Sequence, residues 1–399
     1  MTQIRPLFFF LTMLLLQVSV VKGQDTIRTW YDAEKTMLKE VYLQVDSPEG
    51  PVKEGLYTIY FKNKQLWQQG DFLAGKLSGP WKVYFSNGQL KQSITYVEGK
   101  AHGLCKIYYE DGKPFQEINY DMEVYHGQLI NYYPEGQKME SKMYHQGKLH
   151  GPSLGFLEDG RPLYKKSYDM DVPDGNWEIW FENGKLQERG TMKQGVFDGD
   201  FEGYYKDPPT EVKQKQCYYV DGKLQGEFLG YHINGQLMLR VNYEAGKLQG
   251  EYLEYHDNGV QKAEGTYEQG ERHGPWKEFH PNEKVYLEGQ YEMGSATGNW
   301  KVYFGSGKLK QEGMYKNDLS EGEWKFYYPE GPLYLKGNYL NDLKEGYWEG
   351  YSPNGKVKLE YNFKAGKYHG TLKNYDNEGN LSSEVHYEHG ERVFPEKKD

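Results

Sequence analysis

Aromatic residues recur at one fixed place in this sequence, and their chemistry is that of a binding surface. When fourteen regularly spaced glycines are each taken as position zero of a copy, position five is aromatic in every copy. Tyr and Trp lead in protein contacts, and sugar rings stack on them as well. The alternative is that these rings only cover Lys and Gln stems and stabilise a sheet. The candidate binding residues are Tyr84, Tyr108, Tyr132, Trp180, Tyr204, Tyr231, Tyr255, Tyr303, Tyr327 and Tyr351.

Histidine is the second residue type whose spacing suggests chemistry. His232, His256 and His280 stand at position six of three consecutive copies, as the ligands of a metal ladder would. Successive copies of a hairpin array lie ~10 Å apart, whereas the ligands of one zinc ion all lie within about 2.1 Å of it. We therefore predict no metal site, and we expect the imidazoles to replace side chains such as Phe304. No serine or cysteine recurs beside them, so no nucleophile–base pair is indicated.

Cysteines and carboxylates give no better catalytic site. Cys105 and Cys217 are the only cysteines, and they lie four copies apart, so two separate, partly buried thiols are predicted instead of a disulfide. Asp171, Asp318 and Asp342 replace a turn glycine of other copies, a place where Asp tolerates the backbone geometry. The sequence therefore predicts neither an enzyme nor a cofactor.

The elements that must position these side chains are the copies of a repeat. Twelve of the thirteen spacings between the anchor glycines are 24 residues and one is 27. A period this strict indicates a repeat architecture and outranks any local motif. The anchors are Gly55, Gly79, Gly103, Gly127, Gly151, Gly175, Gly199, Gly226, Gly250, Gly274, Gly298, Gly322, Gly346 and Gly370.

Each copy reads as a β-hairpin. Asn-Gly pairs such as Asn234-Gly235 at positions eight and nine predict a type I′ turn, and a second turn follows near position twenty. This turn would place position zero opposite seventeen, two opposite fifteen and six opposite eleven. Trp300 would then face Gly313, an arrangement in which an aromatic ring covers a strand glycine.

Alternation assigns the two faces of the sheet. Trp300, Val302, Phe304, Leu309 and Tyr315 share the predicted buried face, and Tyr303 lies on the other. The predicted fold class is all-β: an elongated, twisted single-sheet array of about 14 hairpin repeats of 24 residues. The expected shape is a long rod with a groove, and Asp207-Pro208-Pro209 in the long copy is expected to form a loop.

The two ends of the chain differ from the repeats. After Arg5 an apolar run, LFFFLTMLLLQVSVV, precedes Lys22, which is typical of a secretory signal peptide. We predict a signal peptide at 1–23, an N-terminal cap at 24–46, repeats at 47–390 and a C-terminal tail at 391–399. The protein is accordingly expected to be exported and to be periplasmic, at the cell surface or secreted.

The net charge limits the partners. At -10, with no basic run, the chain is a poor ligand for nucleic acid or for an anionic membrane surface. No stable membrane insertion is expected, because the apolar run is shorter than the ~20 residues needed to span a bilayer.

The stretch HGPWKEFHPNEKVYLEGQYEMGSATG resembles MORN repeats, and the resemblance covers about residues 50–390. Segments 183–190, 307–324 and 355–370 are similar to the bacterial variant, the YwqK-type repeats of antitoxin components. The resemblance implies stacked hairpins and an antitoxin-like or immunity-like role. Lipid binding of eukaryotic members does not carry over, because their copies have 23 residues and place glycine where this chain has Trp300 or Trp324.

These observations favour a non-enzymatic exported scaffold that binds a protein partner along an extended face or groove. Binding to a cell wall or another glycan through the aromatic ladder is the alternative. Self-association side by side is also expected, because a single sheet does not bury its aromatic face alone.

Overall fold

A computed structural model describes residues 23–394 as two compact units, residues 23–161 and 162–394. The described residues contain strands and turns and no helix. In the first unit the strands are β1 (Gln24–Trp30), β2 (Leu38–Ser47), β3 (Gly50–Tyr60), β4 (Leu66–Leu73), β5 (Lys76–Tyr84), β6 (Leu90–Val97), β7 (Lys100–Tyr108), β8 (Pro114–Asp121), β9 (Val124–Tyr132), β10 (Lys138–His145) and β11 (Lys148–Phe156).

The second unit repeats the same alternation of strands and turns. Its strands are β12 (Pro162–Asp169), β13 (Val172–Trp180), β14 (Leu186–Lys193), β15 (Val196–Tyr204), β16 (Lys213–Val220), β17 (Lys223–Leu224), β18 (Gly226–Tyr231), β19 (Leu237–Glu244), β20 (Lys247–Tyr255), β21 (Gln261–Glu268), β22 (Glu271–Arg272), β23 (Gly274–Phe279), β24 (Val285–Glu292), β25 (Ser295–Tyr303), β26 (Leu309–Lys316), β27 (Leu319–Tyr327), β28 (Leu333–Leu340), β29 (Leu343–Tyr351), β30 (Val357–Lys364), β31 (Lys367–Tyr368), β32 (Gly370–Tyr375), β33 (Leu381–Glu388) and β34 (Glu391–Val393).

Within each unit, neighbouring strands along the chain pair antiparallel, so the all-β hairpin array predicted from the repeat is confirmed. The predicted cap region contains β1 and β2, and β2 pairs with β3. The predicted signal peptide lies outside the described residues except for Gly23, and so does the tail beyond residue 394.

Within a copy, the register follows the predicted pairing at the end of the hairpin that lies far from the turn. Gly298 pairs with Tyr315, and Trp300 pairs with Gly313. The anchor glycine has a φ of +65°, a left-handed conformation that a residue with a Cβ rarely adopts. On its other side the pairing of β24 with β25 shifts register, so the anchor marks a β-bulge. The strict glycine period therefore reflects a backbone requirement.

The turn at positions six to nine differs from the predicted type I′ turn. The Phe304 N–H donates to the Lys308 carbonyl at 2.8 Å, and the Gly307 N–H donates to the Phe304 carbonyl at 2.7 Å. Gly307 has a φ of +85°, while the central residues of the turn, Gly305 and Ser306, do not have positive φ, which is the pattern of a type I turn followed by a glycine bulge. The extra residue shifts the register. Tyr303 pairs with Leu309, so the predicted pairing of position six with eleven is wrong.

Asparagine at position eight has another role in this turn. Asn234 Oδ1 accepts the Gln236 N–H at 3.0 Å, and its Nδ2 donates to the Asp257 carbonyl of the next copy at 2.7 Å. Asn258 repeats both contacts one copy later. The asparagine amide thus closes its own turn and joins that turn to the next one. The second contact lies between two copies, so it is not visible when a single hairpin is considered.

A type I′ turn does occur, but between copies. Leu73 and Lys76 pair across two left-handed residues, Ala74 at φ +48° and Gly75 at φ +79°. Both central residues of a type I′ turn need positive φ, and its twist matches that of the strands it joins. Asp318 stands at the second place with a φ of +66°, as expected for a carboxylate residue that tolerates turn geometry.

Tryptophan at position two covers a glycine of the preceding copy. A Cβ on Gly289 would lie 2.1 Å from the Trp300 ring, and a Cβ on Gly313 would lie 2.1 Å from the Trp324 ring. Trp300 pairs with Gly313 in register, as predicted, but the strand glycine beneath its indole is Gly289. Successive hairpins are therefore joined by a ring of one copy lying on the bare backbone of the copy before it.

This packing also explains two tryptophans that do not pair with a glycine. Trp81 pairs with Ile94, yet its ring would lie 2.0 Å from a Cβ on Gly70. Trp348 pairs with an aromatic residue and lies over Gly337 in the same way. The spacing that matters is the eleven residues from glycine to tryptophan across the turn between copies.

Position six lies at the edge of the type I turn and not on the predicted buried face with Trp300. Its rings pack on position twelve of the same copy: Tyr109 lies 5.1 Å from Phe115, and Tyr328 lies 5.0 Å from Tyr334. The alternation used in the prediction stops at position five, because the turn begins there. In the long copy the turn widens into the predicted loop, which the Tyr205 N–H closes on the Val212 carbonyl at 2.9 Å.

Candidate binding surface

The ten predicted position-five residues lie along one face within each unit, and we call them the position-five surface. Nine of them are half-buried, and Tyr204 is buried. Tyr303 and Trp300 are three residues apart on β25, so their side chains point to opposite faces of the sheet. The sequence-based assignment of these two residues to different faces is thus confirmed, while a binding role for the surface stays a prediction.

Several hydroxyl groups of this surface are engaged within the array. The Tyr303 hydroxyl donates to Glu288 Oε1 at 2.7 Å, and the Tyr327 hydroxyl donates to Glu312 Oε1 at 2.7 Å. In both cases the carboxylate belongs to position fourteen of the preceding copy. The ring is thereby held in one orientation while part of it stays accessible. Sequence reasoning missed these carboxylates, although a glutamate fifteen residues before each tyrosine is visible in the sequence.

Burial and hydrogen bonding raise the pKa values of two of these phenols. Burial, followed by the hydrogen bond to Glu288, raises the pKa of Tyr303 to about 12. The same two causes, with Glu312 as the acceptor, raise the pKa of Tyr327 to about 12. Both hydroxyls therefore stay protonated, and they position the rings.

A charged cluster replaces the simple pair in one copy. The Tyr204 hydroxyl donates to Glu202 Oε2 at 2.8 Å, and Lys213 Nζ lies 2.7 Å from the other oxygen, while Arg189 also bonds the carboxylate. Burial acts to raise the pKa of Glu202, but the hydrogen bonds from Lys213, Tyr204 and Arg189 outweigh it and lower the pKa to about 2. Glu202 therefore remains ionised and holds the cluster together.

The opposite face carries a second series of rings, which we call the core ladder. In the second unit it runs through Tyr291, Trp300, Tyr315, Trp324 and Tyr339, with centroid distances of 5.1, 5.9, 5.1 and 6.0 Å. Interplanar angles of 80° to 90° make every contact edge-to-face. This arrangement is favourable for aromatic rings and extends from copy to copy.

The three histidines at position six, His232, His256 and His280, do not converge. His232 Nε2 lies 2.9 Å from the Tyr255 carbonyl of the next copy, and His256 Nε2 lies 3.3 Å from the Phe279 carbonyl. The Tyr328 hydroxyl makes the same contact with the Tyr351 carbonyl at 2.9 Å. Imidazole thus substitutes for a turn-edge tyrosine. Within residues 23–394 no group of three or more His, Cys, Asp or Glu is placed to hold a metal ion.

The two cysteines are free and buried. Burial raises the pKa of both thiols, partly opposed at Cys105 by the hydrogen bond from Gln92 and at Cys217 by Tyr219. Raised thiol pKa values make them poor nucleophiles. A search of the described part of the chain also finds no helix that is long and apolar enough to cross a membrane.

Comparison with protein families gives matches along most of the array. The family described as MORN repeat variant matches nine segments, residues 77–98, 101–122, 173–194, 248–269, 272–293, 296–317, 320–341, 344–365 and 368–389. Each match runs from just before an anchor glycine to the turn between copies. A comparison with curated proteins found no match.

Solved structures resemble the chain only distantly. A crystal structure of TcdB2–TccC3 is 12% identical with a TM-score of 0.17, and the match covers 91% of this chain and 27% of that chain. A structure of the Photorhabdus luminescens Tc holotoxin pore is 11% identical with a TM-score of 0.11, covering 92% of this chain and 30% of that one. This chain thus spans less than a third of these chains, and at such TM-scores the likeness carries no functional argument.

Proposed function

Because this chain belongs to the MORN repeat variant family, we propose that it is a non-enzymatic, exported scaffold that binds a protein partner along its position-five surface. Stacked repeats provide long, regular surfaces and no deep catalytic cleft, and such surfaces commonly recognise other proteins. An immunity-like role, in which the partner is a toxin, is one form of this proposal.

One observation carries the proposal: several rings of the position-five surface are held in place before any partner arrives. Tyr303 and Tyr327 are half-buried, and their hydroxyls are fixed by Glu288 and Glu312. Binding then requires little further loss of side-chain freedom, which favours affinity. Tyr and Trp in such settings are the residues that dominate protein interfaces.

The test compares the wild type with a variant carrying Tyr303→Ala, Tyr327→Ala and Tyr351→Ala in capture of envelope proteins from the source organism. We expect capture of a specific protein to fall by about tenfold or more, as for loss of several contact tyrosines. The matched Tyr→Phe variant keeps the rings and should retain the partner. Equal capture by all three proteins would refute the position-five surface as the binding site.

A glycan is the alternative ligand for the same rings, since sugars also stack on Tyr and Trp. Retention of the wild type on insoluble cell-wall polysaccharide, with loss in the alanine variant and no protein captured, would assign the surface to a glycan. Export is tested separately by sequencing the N-terminus of the mature protein, which we expect at Gln24.

Side-by-side self-association is part of the proposal. Apolar residues flank the type I′ turns and are well exposed, among them Leu340 and Leu343, each 49% exposed. A repeated apolar edge of this kind favours contact between copies of the protein. We expect light scattering to show a mass that rises with concentration, and a constant monomer mass at high concentration would contradict it.

A further inference from the structure

In two copies of the second unit, the residue two places before the anchor glycine places a cation on the core ladder. Before Gly274 this residue is Arg272, whose guanidinium carbon lies 4.1 Å from the Trp276 ring centroid and which donates to the Tyr291 hydroxyl at 3.0 Å. Before Gly346 it is Lys344, whose Nζ lies 4.4 Å from the Trp348 ring centroid. In these two copies the array places its own cation on its tryptophan.

The two copies between them lack this cation. The corresponding residues are Ala296 and Ser320, and among residues 23–394 no lysine or arginine lies over the ring of Trp300 or Trp324. All four tryptophans are buried, at 2% and 0% exposed for Trp276 and Trp348 and 7% and 4% for Trp300 and Trp324. The smaller side chains of Ala296 and Ser320 therefore leave the rings of Trp300 and Trp324 without a covering cation.

A recess of about 320 Å³ lies beside these two rings and is lined by Tyr291, Trp300, Tyr315, Trp324, Ala296 and Asp318. Its volume is sufficient for one long side chain. The rings provide faces and edges, and Asp318 provides the negative charge.

Carboxylates appear in the same two copies that lack the cation. Where the neighbouring copies have Gly294 and Gly366 in the type I′ turn, these copies have Asp318 and Asp342. Asp318 Oδ1 accepts the Ala296 N–H at 2.6 Å, which fixes the carboxylate at the recess. At this place the neighbouring copies carry a positive charge and these two copies carry a negative one. A cation from outside would restore the cation–π contact that Arg272 and Lys344 make within the chain.

We propose that the Trp300–Trp324 recess binds an arginine or lysine side chain of a protein partner, in the place that Arg272 and Lys344 take in the adjacent copies. The net charge of -10 favours approach of a basic segment. The recess lies on the face opposite the position-five surface. Its occupancy therefore does not depend on whether that surface binds a protein.

The test uses the full chain labelled with 5-fluorotryptophan and the peptide acetyl-Gly-Arg-Gly-Arg-Gly-amide. We expect the fluorine signals of Trp300 and Trp324 to shift on titration, while the signal of Trp348, which is already covered, stays unchanged. The same peptide with citrulline in place of arginine is neutral and nearly the same shape, and it should produce no shift.

Two variants probe the recess from different sides. Ala296→Arg places a guanidinium there from within and should weaken peptide binding by about tenfold, the range of a desolvated cation–π contact. Asp318→Asn keeps an acceptor for the Ala296 N–H, removes the charge and should also weaken binding. Gln89→Arg adds the same charge at an exposed turn of the first unit and should leave the affinity unchanged.

Unchanged affinity in both Ala296→Arg and Asp318→Asn would overturn the proposal, and so would equal binding of the citrulline peptide. If a neutral oligosaccharide shifts the same two signals and the arginine peptide does not, the recess is a glycan site instead. If peptide binding is lost in the recess variants but the position-five variants still capture the same partner, the two surfaces act separately.

Discussion

At the scale of single residues, the stability of this protein depends on where a glycine leaves room for a ring. Gly313 has no side chain because the Trp324 ring occupies the space in which a Cβ would lie, at 2.1 Å. A side chain at residue 313 would force the Trp324 indole out of its buried position, in which it is only 4% exposed. The glycine is thus set by packing and not by its own backbone angles.

Gly313→Ala is therefore expected to destabilise the strands β26 and β27 by about 1–3 kcal/mol, the usual range for overpacking a tight contact. The matched control is Gly305→Ala, since a Cβ there meets no atom within 4 Å. Hydrogen exchange measures the effect locally, which suits a repeat array whose copies can open separately. Equal protection of β26 and β27 in both variants would show that Trp324 does not rest on this glycine.

At the scale of elements, the sequence was sufficient for the hairpin period and for most of the register but not for the turns. The glycine period predicts the pairing of Gly298 with Tyr315, because a bulge glycine recurs wherever the backbone must turn left-handed. The Asn-Gly pair misled the prediction of turn type, because the preference of asparagine comes from a contact with the next copy. A contact between copies cannot be inferred from one hairpin.

The candidate site was predictable to the same extent. Period and alternation suffice to put Tyr303 and Trp300 on opposite faces. They do not reveal that the Tyr303 hydroxyl is already bound to Glu288, because that requires knowing which residue of the preceding copy lies beside it. The recess at Trp300 was also hidden, since it lies where Ala296 replaces a cation, and only the structure shows that Arg272 covers Trp276 at the corresponding place.

At the scale of the whole molecule, tyrosine is the residue type through which pH acts on both units. Burial raises the pKa of Tyr120 in the first unit to about 12, with Tyr125 and Cys105 as further causes. In the second unit burial likewise raises the pKa of Tyr219 to about 12, with Cys217 as the next cause. Folding therefore keeps these phenols neutral at pH values at which an exposed phenol, with an ordinary pKa of 10.0, ionises.

The sign of the pH dependence follows from these shifts. A pKa that is higher in the folded than in the unfolded state contributes stability that is complete below the unfolded value of 10.0 and is lost as the pH rises through about 12. We therefore expect the midpoint of urea unfolding to be nearly constant from about pH 7 to 9 and to fall steeply between about pH 10 and 12. The absorbance of ionised tyrosine should appear together with the loss of structure. Because Tyr303 is one of several phenols whose pKa is raised on folding, Tyr303→Phe should remove only a small part of the fall. Two results would contradict this expectation: an unfolding midpoint that stays constant to about pH 12, or tyrosinate absorbance that rises well before unfolding. Either would mean that folding does not raise the pKa of the phenols and that the core ladder is open to solvent.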